Sequence, residues 1–249
     1  MAPRPLWSAP QGYAGVRAGG THASALGART PCAAHPHGLA DGPHGEAAAR
    51  SIGLLVSGAM DLVLATHNPG KLAELRVLLG PLGFVLHDAA GRGLESPAET
   101  GASYVENATI KAVAAARALG CLALSDDSGL EIDALGGAPG IDTAGFTTRA
   151  GGVSAARRAI VEAVGLATAT GPLLARLHCA LVLALPSGAV HVACGELRGR
   201  LCWPSTEAPG LAAIVLPDPP TAMIEGGVLA HRRAAFDRLL PQLVAARRG

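Results

Sequence analysis

The chain has 249 residues, 20 basic and 19 acidic side chains and a formal charge of +1, a balance that offers no electrostatic footprint for nucleic acid or a membrane surface as the main partner. With 49% hydrophobic residues it can bury the core of one large domain or two small ones. The five cysteines, Cys32, Cys121, Cys179, Cys194 and Cys202, form no Cys-x-x-Cys pair and fall mostly in apolar runs, which favours reduced, buried thiols of a cytoplasmic protein over zinc ligands or disulfides.

Residues Met1 to Ala59 are rich in Ala, Gly, Pro and His, hold only Asp41 and Glu46 as acids, and show no sustained helical or strand period. They read as a disordered or non-native extension, with a mitochondrial-type presequence as the alternative, and the folded domain is expected over residues 60–249. The apolar run from Ile52 to Val56 is too brief to span a membrane and lies too deep for an ordinary signal peptide.

The first patterned stretch, "DLVLATHNPGKLAELRVLLG", opens at Asp61. Leu62 to Ala65 read as a buried strand, and Asn68 before Pro69 is an N-cap and first-turn pair for a helix with apolar positions Leu72, Leu75, Leu78 and Leu79. Gly80 and Pro81 end it. A strand, a short polar loop and a helix start bring free backbone N–H groups and a positive dipole end together, an arrangement that binds phosphate, and Lys71 adds a point charge. The loop is not a Walker motif.

The second stretch is "ESPAETGASYVENATIKAVAAARALG", from Glu95. From Tyr104, the residues Val105, Ala108, Ala112, Ala116 and Leu119 recur at helical spacing, while Ser103, Asn107 and Lys111 form a polar line on one flank. This pattern also suits an ordinary amphipathic surface helix. Lys71 and Lys111 are, however, the chain's two lysines, and Asn68 and Asn107 its two asparagines, in a sequence that otherwise uses arginine for every cation. A compact ammonium and a planar guanidinium are not interchangeable, so the retained lysines mark candidate binding positions.

The third stretch is "LSDDSGLEIDALGGAPG", from Leu124. Cys121 to Leu124 are expected to form a short buried strand, with Asp126 and Asp127 emerging at its carboxyl end and a second strand following over Leu130 to Ala134. Asp, Ser and Gly are also ordinary turn residues. Carboxylates at Glu99, Asp126 and Asp127 with ammoniums at Lys71 and Lys111 suit a triphosphate carried by Mg²⁺, the hard oxygens taking the metal and the lysines the phosphoryl oxygens.

The motifs "ATHNPGK", "ETGASYVENATIKA" and "SDDSGLEIDALGGAPG", in this order, resemble the inosine triphosphatase family, the pyrophosphatases that clear the aberrant purine nucleotides ITP, dITP and XTP. The match is close from Asp61 to about Gly140 and looser beyond. The resemblance implies an α/β fold with an elongated mixed sheet, flanking helices in two lobes and an active cleft between them, in a homodimer. It also implies hydrolysis of purine nucleoside triphosphates at the α–β phosphoanhydride. By position it places the phosphate loop on Thr66, His67, Asn68, Pro69, Gly70 and Lys71, the metal-binding glutamate on Glu99 and a phosphate-binding lysine on Lys111. The catalytic, metal-touching aspartate falls on Asp127, with Ser128 contacting substrate and Asp126 completing the acidic cluster. A base-contacting pair falls on His231 and Arg232.

Beyond Gly140 the chain departs from the family pattern, though Arg176 to Leu201 keep its hairpin, with Pro186, Ser187 and Gly188 in the turn. Gly145 stands at an arginine position, with Arg149 the nearest substitute, and Leu211 stands where an aromatic ring stacks on the base. The catalytic half is complete and the base-reading half altered. The alternative to an active pyrophosphatase is a catalytically weakened nucleotide-binding relative with changed base specificity.

Overall fold

The computed structural model describes residues 60–248 apart from Ala167, Thr221 and Ala222. The expectations for residues 1–59 lie outside the described residues. Strand β1 (Met60–Leu64) is an apolar run because it is covered on both faces, Leu62, Val63 and Leu64 being buried. It pairs in parallel with β2 (Phe84–Asp88) on one side and β3 (Leu122–Ile132) on the other. Parallel neighbours need crossovers. Helix α1 (Pro69–Leu79) supplies the first and helix α2 (Tyr104–Leu119) the second.

The remaining strands are antiparallel. β3 pairs along its length with β5 (Leu174–Ala184), which turns through Pro186, Ser187 and Gly188 into β6 (Val190–Leu201), as the hairpin pattern of the sequence implies. β6 carries the short edge strand β7 (Val215–Pro217), and β4 (Pro139–Gly140) pairs with the far end of β3. The sheet is therefore a mixed one of seven strands in the order β2-β1-β3-β5-β6-β7, with β4 beside β3. A Cβ at Gly129 would lie 2.3 Å from the Gly140 carbonyl oxygen, so only glycine lets β4 approach β3 there.

A two-stranded ribbon, β8 (Ile224–Glu225) with β9 (Val228–Leu229), leads into the terminal helix α5 (Ala230–Arg248). Helices α1 and α5 cover one face of the sheet through Leu75, Leu78, Leu79, Phe236, Leu239 and Leu243. Helix α2 covers the other through a row of alanines, Ala108, Ala112, Ala115 and Ala116, small enough for close approach to Ala123, Ala180 and Val182. Two short helices, α3 (Thr143–Arg149) and α4 (Val153–Ala163), pack with the 3₁₀ turn Gly210–Ile214 beyond β4. No helix of the described residues is long and apolar enough to cross a membrane. Among the described residues Cys121, Cys179 and Cys202 are free thiols.

One element corrects the sequence reading. The two strands expected over Cys121–Leu124 and Leu130–Ala134 are one continuous strand, β3, and Asp126 and Asp127 sit in its middle, opposite Leu181 and Ala180. The turn preference of an Asp-Asp-Ser-Gly run is overridden because the antiparallel ladder with β5 is unbroken from Ala123 to Ile132 and each carboxylate meets charged partners from a helix.

Candidate active site

β1 stops at Leu64, where Ala65 N donates to Leu124 O at 2.7 Å, and β4 joins β3 only at Leu130. Between these points β3 is paired on the β5 side alone among the described strands, and the loop from Thr66 to Lys71 leaves β1 there. Strand order reverses at β1, so α1 and α2 leave toward opposite faces and open a crevice at the carboxyl end of the strand. A cleft of about 640 Å³ occupies it. Thr66, Asn68, Lys71, Glu99, Lys111 and Asp127 line one part, and Leu211, His231 and Arg232 another.

The alternation of a strand separates the two adjacent aspartates. Asp127 faces α2, where Asn107 Nδ2 donates to its Oδ2 at 3.3 Å and Lys111 Nζ lies 3.7 Å from its Oδ1. Lys111 also holds Glu99 Oε1 at 2.9 Å. Asp126 faces α1 and α5. It is 0% exposed, with Lys71 Nζ at 3.0 Å and Arg232 Nη2 at 3.1 Å from the same oxygen, Oδ2. Its other oxygen, Oδ1, is buried without a hydrogen-bond partner.

These surroundings drive the two carboxyls apart in acidity. Burial alone would raise Asp126, but Lys71, Arg232 and Lys111 outweigh it and hold the group well below the usual carboxylate range. For Asp127 burial wins over Lys111 and Lys71, Glu99 adds to it, and the pKa rises. Neighbouring carboxyls with diverging acidities divide the chemistry between a fixed charge and a proton acceptor.

The structure tests the loop reading more sharply. Asn68 caps α1 as expected, its Oδ1 accepting from Gly70 N at 2.9 Å and Lys71 N at 3.3 Å. Those N–H groups are therefore occupied, and Pro69 has none, so the helix start does not present the free donors the sequence reading assumed. Thr66 is buried and its Oγ1 accepts from Asn68 N, while the exposed His67 ring sits 2.9 Å from Leu94 O. The usable cation of the loop is the Lys71 side chain.

The three carboxylates do not form one cluster, and no group of three His, Cys, Asp or Glu side chains suited to a metal occurs among the described residues. The expected metal set of Glu99, Asp127 and Asp126 is thus divided, because Asp126 projects from the opposite face of β3 and is neutralised by Lys71 and Arg232. Glu99 and Asp127 do converge, both on the ammonium of Lys111. Two hard carboxylates open to a cleft suit Mg²⁺, which characteristically takes one or two carboxylates and completes its shell with phosphate oxygens and water. The charge balance agrees. The cleft lining sets Lys71, Lys111 and Arg232 against Glu74, Glu99 and Asp127, with Asp126 buried behind Lys71, leaving no surplus of positive charge for a triphosphate.

Arg232 is 2% exposed and spans two helices. Its Nη1 lies 2.7 Å from Glu74 Oε2, and its Nη2 meets Asp126 and, at 3.3 Å, Ser128 Oγ. Glu74, which sequence reasoning missed, also accepts from Leu229 N at 2.8 Å. Its position three residues after Lys71, on the same face of α1, is the signal that could have found it. His231 is buried at the cleft wall, its Nδ1 without a hydrogen-bond partner; burial, then the neighbouring Arg232, push its pKa down to about 3, so the ring is neutral. Arg149 pairs with Asp142, and its Nη1 would lie 3.0 Å from a Cβ at Gly145.

Residues 62–212 match the Ham1 family. The dITP/XTP pyrophosphatase of Rhizobium meliloti (strain 1021) is 47% identical over 148 residues, spanning 57% of this chain and 69% of that protein. The dITP/XTP pyrophosphatase of Agrobacterium fabrum is 43% identical over 164 residues, 63% of this chain and 77% of its own length. Among solved structures, a HAM1 protein from Coxiella burnetii superimposes with a TM-score of 0.63 at 29% identity, covering 75% of this chain and 99% of that one.

Proposed function

Because the chain belongs to the Ham1 family, we propose that it is a nucleoside triphosphate pyrophosphatase that hydrolyses ITP, dITP and XTP to the monophosphate and pyrophosphate, cleansing the nucleotide pool. The observation that carries this reading is the separation of Asp126 from Asp127 across β3: one is a buried, permanently charged anchor for Lys71 and Arg232, the other a cleft carboxylate of raised pKa beside Glu99 and Lys111. Asp127 is the general base. Its carboxylate lines the cleft beside Glu99 and Lys111, and Asn107 fixes its orientation.

Lys71 and Lys111 take phosphoryl oxygens as point charges, within the frame of Thr66, His67, Asn68, Pro69 and Gly70. Glu99 and Asp127 would hold Mg²⁺, which supplies Lewis-acid polarisation of the phosphoryl group when bound. Ser128 lies beside substrate, and the base sits against His231, Leu211 and the Arg232 end of the cleft. We further propose that the protein works as a cytoplasmic homodimer, without nucleic acid or membrane as partner.

The test is pyrophosphate release from ITP, dITP, XTP, GTP and ATP, with and without chelator. Release that favours the inosine and xanthosine nucleotides, is lost with chelator and returns with Mg²⁺ is expected. Tight nucleotide binding without release would instead establish the alternative of a catalytically weakened, nucleotide-binding relative. Sedimentation at low and high protein concentration checks the dimer.

A further inference from the structure

The cleft has a wall that no strand supports. The chain from Cys202 to Ile214 leaves β6 and returns at β7, and its base is closed by Cys202 N donating to Ile214 O at 3.0 Å and Thr206 N to Ala213 O at 2.7 Å. Its tip, Pro209 to Ala212, lines the cleft. The tip is held from outside by one side chain of α4: Arg157 donates to Gly210 O from Nε at 2.9 Å and from Nη2 at 2.6 Å, and Nη2 lies 3.4 Å from Ala208 O. Those carbonyls flank Pro209 and precede Leu211. One turn before Arg157 on the same face of α4 is Val153, which also lines the cleft. A single helix face thus lines the cleft and fastens the segment beside it.

We propose that Arg157 is a positioning residue for nucleotide selection: by tying the 208–210 segment to α4 it sets the width of the cleft and the place of Leu211 relative to His231. This rests on the pyrophosphatase reading. Charge-assisted bonds from a planar guanidinium to two carbonyls fix direction as well as distance, which a lysine cannot reproduce because its ammonium is a point charge. The segment needs such a clamp. Gly210 has φ +58, outside the region most residues favour, and Leu211 at the next position lines the cleft. Arg157 touches neither phosphate-binding lysine nor either aspartate, so its loss leaves the hydrolytic groups in place.

The experiment compares wild type, Arg157→Ala, Arg157→Lys and, as a control, Arg158→Ala, whose side chain is exposed on the same helix. Steady-state kinetics with ITP and ATP are measured alongside circular dichroism. Arg157→Ala should raise KM for ITP about tenfold and narrow the ITP/ATP ratio of kcat/KM, with kcat kept within about threefold, because a displaced binding wall loses ground-state binding before it loses chemistry. Arg157→Lys should lie between, and Arg158→Ala should match wild type. An Arg157→Ala enzyme that is folded with unchanged KM and selectivity overturns the proposal, as does unfolding of both Arg157 variants, which would make the contact structural only. No pyrophosphate release from wild type would overturn the pyrophosphatase reading first, and this inference with it.

Discussion

Replacing Asp127 by Asn leaves its ladder pairing with Ala180 and its contact with Asn107 available while removing the charge and the proton-accepting oxygen. Turnover should fall at least about a hundredfold with the thermal transition little changed, the lower end of what a positioned acid–base group contributes; near-normal turnover would sink the assigned role. Arg232 behaves differently. The sequence reading made it a base reader, but its guanidinium is buried between Asp126 and Glu74, so Arg232→Met leaves the fully buried Asp126 with Lys71 as its remaining cation and removes the cation beside Glu74, and should cost about 3–5 kcal/mol of stability, read from denaturant midpoints. His231 gives the pH dependence. Its pKa is about 3 in the fold against an ordinary 6.5, so the unfolded chain takes up a proton over that window and the native chain does not. Stability from this group is complete above about pH 6.5 and is lost as pH falls toward 3, by roughly 1–2 kcal/mol on going to about pH 5. The slope should flatten in His231→Gln, and an unchanged slope would show that the ring titrates freely.

At the level of elements, the cleft depends on how closely α5 lies on the sheet. A Cβ at Gly195 on β6 would sit 2.0 Å from His231 O and 2.5 Å from Ala235 N, both backbone atoms of the first turns of α5. Gly195→Ala must therefore push the helix away. Overpacking of this kind costs about 1–3 kcal/mol, and because Arg232 rides on the same turn the variant should also lose activity at temperatures where it remains folded. A variant with wild-type kinetics and stability would mean that α5 yields without disturbing the site. α2 is attached more simply, by alanines against alanines and valines, with Asn107 and Lys111 at its cleft end.

For the whole molecule, we propose that residues 60–249 carry the activity by themselves, since β1 begins at Met60 and the elements that line the cleft follow it. A chain starting at Met60 should keep the kcat/KM and melting temperature of the full chain, and loss of either would assign the first 59 residues a part in the fold. Much of this organisation is legible in the sequence. The apolar run of β1, the Asn68-Pro69 start of α1, the 104–119 helix with its Asn107–Lys111 flank and the β5–β6 hairpin all follow from local period and capping, which act over a few residues. What local pattern could not supply is the fate of Asp126 and Asp127. Their turn preference is short-range, whereas the ladder with β5, some fifty residues later, keeps the strand straight through them, and strand alternation then sends one carboxylate to α1 and α5 and the other to α2. Only tertiary contact decides that Glu74 and Arg232, far apart in the chain, share a buried ion pair, and that Arg157 fastens a loop whose own residues carry no sign of it, because the energies that choose such partners come from burial and charge in space and leave no period in sequence.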